Sequence, residues 1–202
     1  MKYIFSALAL CGLVNLTGCQ SNNQEKTAQQ ETTQEASNGA HAQTPEHAEG
    51  AASQQMPPLA KEAAASIPDF KFFKVKSGIG FTKEDIKAGR NTVFVLFDPN
   101  CGHCQQEAGI LAKNYDKLKN VNIYFVSMND PALMSSFLET FGKELVDKPN
   151  VEVLYDRNQD FIQKIHVPNQ FPANYVYGAD GQLKSNWEGD KTVDFILSNY
   201  TK

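Results

Sequence analysis

Cys101-Gly102-His103-Cys104 places two thiols two residues apart, directly after the apolar run Thr92 to Phe97. A pair at this spacing can hold a metal, staple the chain, or cycle between dithiol and disulfide. Structural zinc usually takes four Cys or His ligands, and the chain has neither a second C-x-x-C nor an H-x-x-x-H to complete a set. A staple closing so short a loop would remove little chain entropy. Haem attachment requires His after the second cysteine, and Gln105 stands there. The redox pair fits these residue types best, because a thiolate is the nucleophile of disulfide exchange and a nearby second thiol resolves the mixed disulfide.

The chain has 202 residues, four cysteines and a formal net charge of −4. Lys2 followed by the apolar stretch Tyr3 to Leu13 reads as a secretory signal rather than a spanning helix. Leu16-Thr17-Gly18-Cys19 follows it and resembles the lipobox of bacterial lipoproteins. The resemblance implies cleavage after residue 18 and lipidation of Cys19. Cys11 would be discarded with the signal, leaving Cys101 and Cys104 as the free thiols of an exported chain. That compartment permits disulfides. Gln20, where some lipoproteins carry an inner-membrane retention aspartate, implies an outer-membrane address facing the periplasm. Acyl chains contribute about 0.8 kcal/mol per buried methylene, so such an anchor needs no transmembrane helix.

Residues 19–65 are rich in Gln, Glu, Ala, Ser and Thr, with only Met56 and Leu59 able to seed a core. We expect a disordered tether there, spanning about 40 Å by square-root scaling. His41 and His47 lie in it without the spacing of a metal site, and no metal is expected. The glutamates at 25, 31, 35, 46, 49 and 62 face only Lys26 and Lys61, so the rest of the chain is nearly neutral. Nucleic acid is therefore not an expected partner, since it calls for a basic face.

Residues 66–202 suit one domain. Phe70 to Val75, Thr92 to Phe97, Val121 to Val126, Val151 to Tyr155, Asn174 to Tyr177 and Gln182 to Trp187 read as strands. Helices are expected over Glu107 to Leu118, Pro131 to Phe141, Gln159 to Ile165 and Thr192 to Tyr200. Ala179-Asp180-Gly181 supplies a hairpin turn. The alternation predicts an α/β domain with a central mixed sheet and helices on both faces.

A strand, a C-x-x-C opening a helix, and a distant proline before a β-hairpin resemble the thioredoxin-like fold. Pro68-Asp69-Phe70 and C-x-x-C-x-x-E over Cys101 to Glu107 are similar to the TlpA-like branch, membrane-anchored thiol-disulfide oxidoreductases. The resemblance implies that Cys101, at a helix N-terminus, attacks, and that Cys104 resolves. His103 would favour the Cys101 thiolate. Phe171-Pro172 would be a cis bond beside the cysteines, with Phe171 contacting an extended substrate. Glu107 reads equally as a proton-transfer group or as an exposed helix glutamate. The implied partners are thiols or disulfides of exported proteins and a membrane redox donor, with no cofactor. Reduction is the favoured direction; oxidation or isomerisation is the alternative, and a redox-inert copper carrier is another.

Several residues depart from these patterns. Asn100 stands where a Trp is usual, Gly109 where the branch has Pro, and Val95 where thioredoxin has a buried acid. Copper carriers of the Sco type resemble C-x-x-x-C, one residue longer than the spacing here. Peroxiredoxins place Thr three residues before the reactive cysteine, where this chain has Asp98.

Overall fold

Thr92-Val93-Phe94-Val95-Leu96 is apolar at four of five positions and buried throughout, as a strand covered on both faces must be. In the computed structural model, which describes residues 58–202, it is an interior strand of a seven-stranded sheet. The strands are β1 (Lys71–Lys74), β2 (Gly80–Thr82), β3 (Thr92–Leu96), β4 (Asn122–Ser127), β5 (Val151–Tyr155), β6 (Ala173–Tyr177) and β7 (Leu183–Glu188). Their order is β2-β1-β5-β4-β3-β6-β7. β3, β4 and β5 run parallel, while β1, β2, β6 and β7 join antiparallel.

The period-two alternation of strands sorts side chains into two cores. Val93, Val95, Ile123, Phe125 and Val176 face one side, under α1 (Gly102–Lys113), α2 (Tyr115–Leu118), α3 (Pro131–Ser135), α4 (Phe137–Phe141) and α5 (Val193–Thr201). Phe94, Leu96, Tyr124, Val126, Tyr175 and Tyr177 face the other. There an aromatic cluster forms, with Phe70 stacked on Phe72 at 4.4 Å and Phe94 edge-on to Phe70 at 5.6 Å. One π-helical turn, Phe161–Ile165, covers this side. Helices thus lie on both faces, but unequally.

Sequence and structure differ at several elements. The expected 70–75 strand is shorter and gains a partner, β2, whose three residues are too few to show a period. The helix expected to end at Leu118 breaks at Asn114, whose side-chain amide donates to Ile110 O at 2.9 Å and competes with the helical ladder. The Pro131 to Phe141 helix breaks at Ser136 into α3 and α4. The expected domain start at 66 also falls late. Ala60 N–H donates to Ile162 O, Ala64 N–H to Ile165 O and Leu183 N–H to Ala65 O, so residues 60–65 already lie along the domain instead of in a free tether.

The β6–β7 hairpin closes as the sequence implies. Gly181 adopts φ +75°, open to glycine without strain, and its N–H donates to Gly178 O. Among the described residues no helix is long and apolar enough to cross a membrane. Cys19, His41 and His47 lie outside the described residues.

Candidate active site

Beyond β3 the chain turns at Asp98-Pro99-Asn100, because proline cannot continue the ladder. The Asp98 carboxylate accepts from Asn100 N–H at 2.8 Å and the Asp98 carbonyl from Cys101 N–H at 3.0 Å. Cys101 is thereby set at the N-cap of α1, its carbonyl taking the first helical bond from Gln105 N–H. The Asp98 carboxylate is engaged in its own turn. The Cys101 side chain thus sits at the N-terminal end of α1 and makes no capping hydrogen bond to that helix.

Cys101 is partly exposed, whereas Cys104, one turn along, is only 2% exposed. Burial pushes the Cys104 thiol well above its ordinary range, against an opposing backbone hydrogen bond from Asp98; Cys101 and Glu107 push it further. The two sulfurs therefore differ in access.

The Phe171-Pro172 bond is cis, and the Phe171 carbonyl lies 4.0 Å from Cys101 Sγ. Three bonds pin this loop to the end of β7. Glu188 Oε2 accepts from Asn169 N–H at 2.9 Å and Gln170 N–H at 3.1 Å, and Pro172 O accepts from Gly189 N–H at 2.9 Å. Pro172 is buried, while the Phe171 ring is 37% exposed beside the cysteine. Cavities flank Phe171 on both sides. One, of about 420 Å³, is lined by Cys101, His103, Gln170 and Asp190; the other, of about 270 Å³, by Leu96, Phe97, Met128 and Asn129.

His103 is exposed, and its Nδ1 lies 2.6 Å from Asp190 Oδ2. The sequence suggests an unopposed imidazolium beside Cys101. Asp190 changes that, because any charge on the ring is matched by a carboxylate on the loop after β7. Asp190 carries no motif and lies 87 positions along the chain, so nothing in the local pattern points to it.

Glu107 is 3% exposed, which removes the expectation of an exposed helix glutamate. Asn174 Nδ2 donates to both its oxygens, at 3.0 and 3.2 Å, and the Tyr200 hydroxyl donates to Asn174 Oδ1. Burial pushes the carboxyl up to about 7, opposed by the Asn174 bond; Asp190 adds to the rise and Lys191 reduces it. Val95 is the cross-strand neighbour of Asn174, so the buried acid missing from β3 is supplied from α1 to nearly the same place. Asn174 and Tyr200 escape sequence reasoning as site residues. Their one signal is an Asn near the start of a strand made otherwise of Ala, Tyr and Val, since a fully buried amide must have partners.

Among the described residues no group of three or more His, Cys, Asp or Glu side chains is placed to hold a metal ion. A separate cavity of about 360 Å³, lined in part by Val75, Leu138, Val146 and Val153 and by the carboxylates of Glu139, Asp147 and Glu152, includes none of the residues of the cysteine site.

The fold is similar to those of several solved proteins. Mycobacterium tuberculosis DsbF, in mixed oxidised and reduced forms, is 19% identical, with 65% of this chain and 92% of that one covered at a TM-score of 0.52. A secreted M. tuberculosis disulfide oxidoreductase homologous to Escherichia coli DsbE is 22% identical, covering 65% and 93%, also at 0.52. Copper-bound ScoI of Arabidopsis thaliana is 15% identical, covering 67% and 94% at 0.50. These likenesses establish a thioredoxin-like α/β fold. Residues 63–186 match the AhpC/TSA family, and the chain belongs to it. A search of the curated proteins found no match.

Proposed function

We propose that this protein is a thiol-disulfide oxidoreductase of TlpA-like type, tethered by lipid on Cys19 in the cell envelope and acting as a reductase of exported proteins. One observation carries the reading: a partly exposed thiol at a helix N-terminus, 4.0 Å from the carbonyl before a cis-proline, with a buried partner thiol one turn behind.

The Cys101 thiolate attacks one sulfur of a substrate disulfide; that S–S bond breaks, a Cys101 mixed disulfide forms, and the departing thiolate takes up a proton. Phe171 borders the groove in which an extended segment would lie, and its free backbone edge suits strand addition. Cys104 then gives its proton to the Glu107 carboxylate three residues further along α1 and attacks Cys101 Sγ. The substrate leaves fully reduced, and Cys101–Cys104 becomes the disulfide. A membrane dithiol donor must return the two electrons. A carboxyl near 7 suits this proton transfer, because it is as ready to accept as to release at neutral pH.

Cys101→Ser should abolish reduction of an insulin disulfide while leaving the fold intact, and Cys104→Ser should accumulate mixed disulfides on Cys101. Undiminished turnover by Cys101→Ser would reject the assignment. The similarity to a copper-bound Sco structure supports copper carriage as the second reading; stoichiometric Cu(I) binding by the reduced protein without turnover would favour it.

A further inference from the structure

Asn174 is an amide buried near the start of β6, flanked by Ala173 and Tyr175 and opposite Val95 and Trp187 across the sheet. An apolar residue would fill this place without the cost of burying a polar group. Its two ends are used differently. Nδ2 faces both oxygens of Glu107, while Oδ1 receives the Tyr200 hydroxyl from α5.

An amide can rotate by half a turn and exchange its donor and acceptor ends at little change in shape. In the observed orientation it offers N–H to Glu107, which favours the carboxylate. In the reverse orientation it would offer C=O, which only a protonated carboxyl can satisfy. Tyr200 decides between the two. It is fully buried, burial together with the nearby Glu107 charge keeps its phenol protonated, and among the described residues Asn174 Oδ1 is the one acceptor its O–H meets, so reversing the amide would leave that buried O–H without a partner. α5 is itself fastened, because Asn91 Nδ2 donates to the carbonyls of Tyr200 and Lys202 at 2.9 and 2.8 Å.

We infer that Tyr200 and Asn174 are a positioning pair that sets the proton affinity of Glu107 by locking the Asn174 amide with its N–H groups toward the carboxylate. The inference rests on the proposed role of Glu107 in taking the Cys104 proton. The other titratable or charged groups acting on Glu107 are Asp190 and Lys191 from the loop after β7 and Cys104 on its own helix. The residues that β3 and β6 turn toward this side, Val93, Val95, Asn174 and Val176, carry no charge.

The test compares wild type, Tyr200→Phe, Asn174→Ala and Glu107→Gln, all reduced, in two measurements. The first follows the ¹³C resonance of the Glu107 carboxyl from pH 5 to 9. Losing a hydrogen bond to the charged form should raise its midpoint by about one pH unit in Tyr200→Phe and by at least as much in Asn174→Ala. The second follows the two successive releases of thionitrobenzoate when Ellman's reagent meets the pair, the later release reporting Cys104 attack on Cys101. Its pH midpoint should move with the carboxyl in the first two variants and vanish in Glu107→Gln.

A purely structural role would lower the melting temperature and leave both midpoints in place, and that result would overturn the inference. Tyr200→Phe alters one oxygen and decides the matter alone if Asn174→Ala does not fold. A shifted carboxyl with an unshifted second release upholds the inference and rejects the catalytic role of Glu107, so the two failures are distinct.

Discussion

Replacing Glu107 by Gln keeps the outline of the side chain and removes its charge, and the structure predicts how the effect depends on pH. Burial raises the Glu107 carboxyl from its ordinary 4.5 to about 7. Below pH 4.5 the carboxyl is protonated in both folded and unfolded chains. Between 4.5 and 7 the folded state binds the proton and the unfolded state does not, so stability falls as pH rises and the loss is complete above 7. At about 1.4 kcal/mol per pH unit the full loss is about 3 kcal/mol, roughly three quarters of it between pH 5 and pH 8. The Gln variant has no such term. Its stability relative to wild type should therefore rise by about 2 to 3 kcal/mol from pH 5 to pH 8, equivalent to roughly 5 to 10 °C in melting temperature. Urea unfolding of both reduced proteins at several pH values measures this directly. The absolute offset at pH 5 also contains the mismatch between a Gln amide and the Asn174 amide, so the change with pH is decisive. Parallel curves for the two proteins would refute the assignment of a neutral-range titration to Glu107.

Other predictions concern the rim of the site. Glu188→Ala removes the acceptor shared by Asn169 and Gln170 and frees the loop before Pro172; KM for a protein disulfide should rise severalfold with kcat within twofold, and an unchanged KM would show that the loop holds without it. Asp190→Asn leaves His103 unopposed, so alkylation of Cys101 by iodoacetamide at pH 6 should quicken by about two- to fivefold in low salt and less in 1 M salt, since exposed charges are screened. A rate independent of salt and substitution would count against any electrostatic role for that pair.

The parts of the site legible in the sequence are those with local signals. C-x-x-C after an apolar run places the thiols, and the hairpin turn at Gly181 fixes which proline lies beside them, because β6 must begin just after Pro172. β3, β4 and β5 also appear within a residue of their observed bounds, since continuous apolar runs leave little choice of structure. Asp190, Asn174 and Tyr200 do not appear, because they act through contacts made across the fold. The Asn174 to Glu107 bond joins residues 67 apart and the Tyr200 to Asn174 bond residues 26 apart. Burial was likewise invisible for Glu107: helical spacing puts it on the Cys104 face, but only the position of α5 and β6 decides that this face is dry. Residues 60–65 read as tether because they carry no large apolar side chain, whereas their backbone makes the contacts with the domain.

The clamp on the loop before Pro172 and the anchoring of α5 have a consequence for the newly made chain. The groove wall, the amide that holds the carboxylate and the phenol that orients the amide all come from the last third of the sequence, long after the cysteines have been synthesised. Until β6, β7 and α5 dock, Cys104 has no dry pocket and Cys101 has no wall beside it, so the two sulfurs behave as ordinary thiols of a flexible peptide. Maturation of the reagent and completion of the fold are one event. A chain cut short before Tyr200 would carry the full C-x-x-C motif and lack the surroundings that distinguish its two sulfurs.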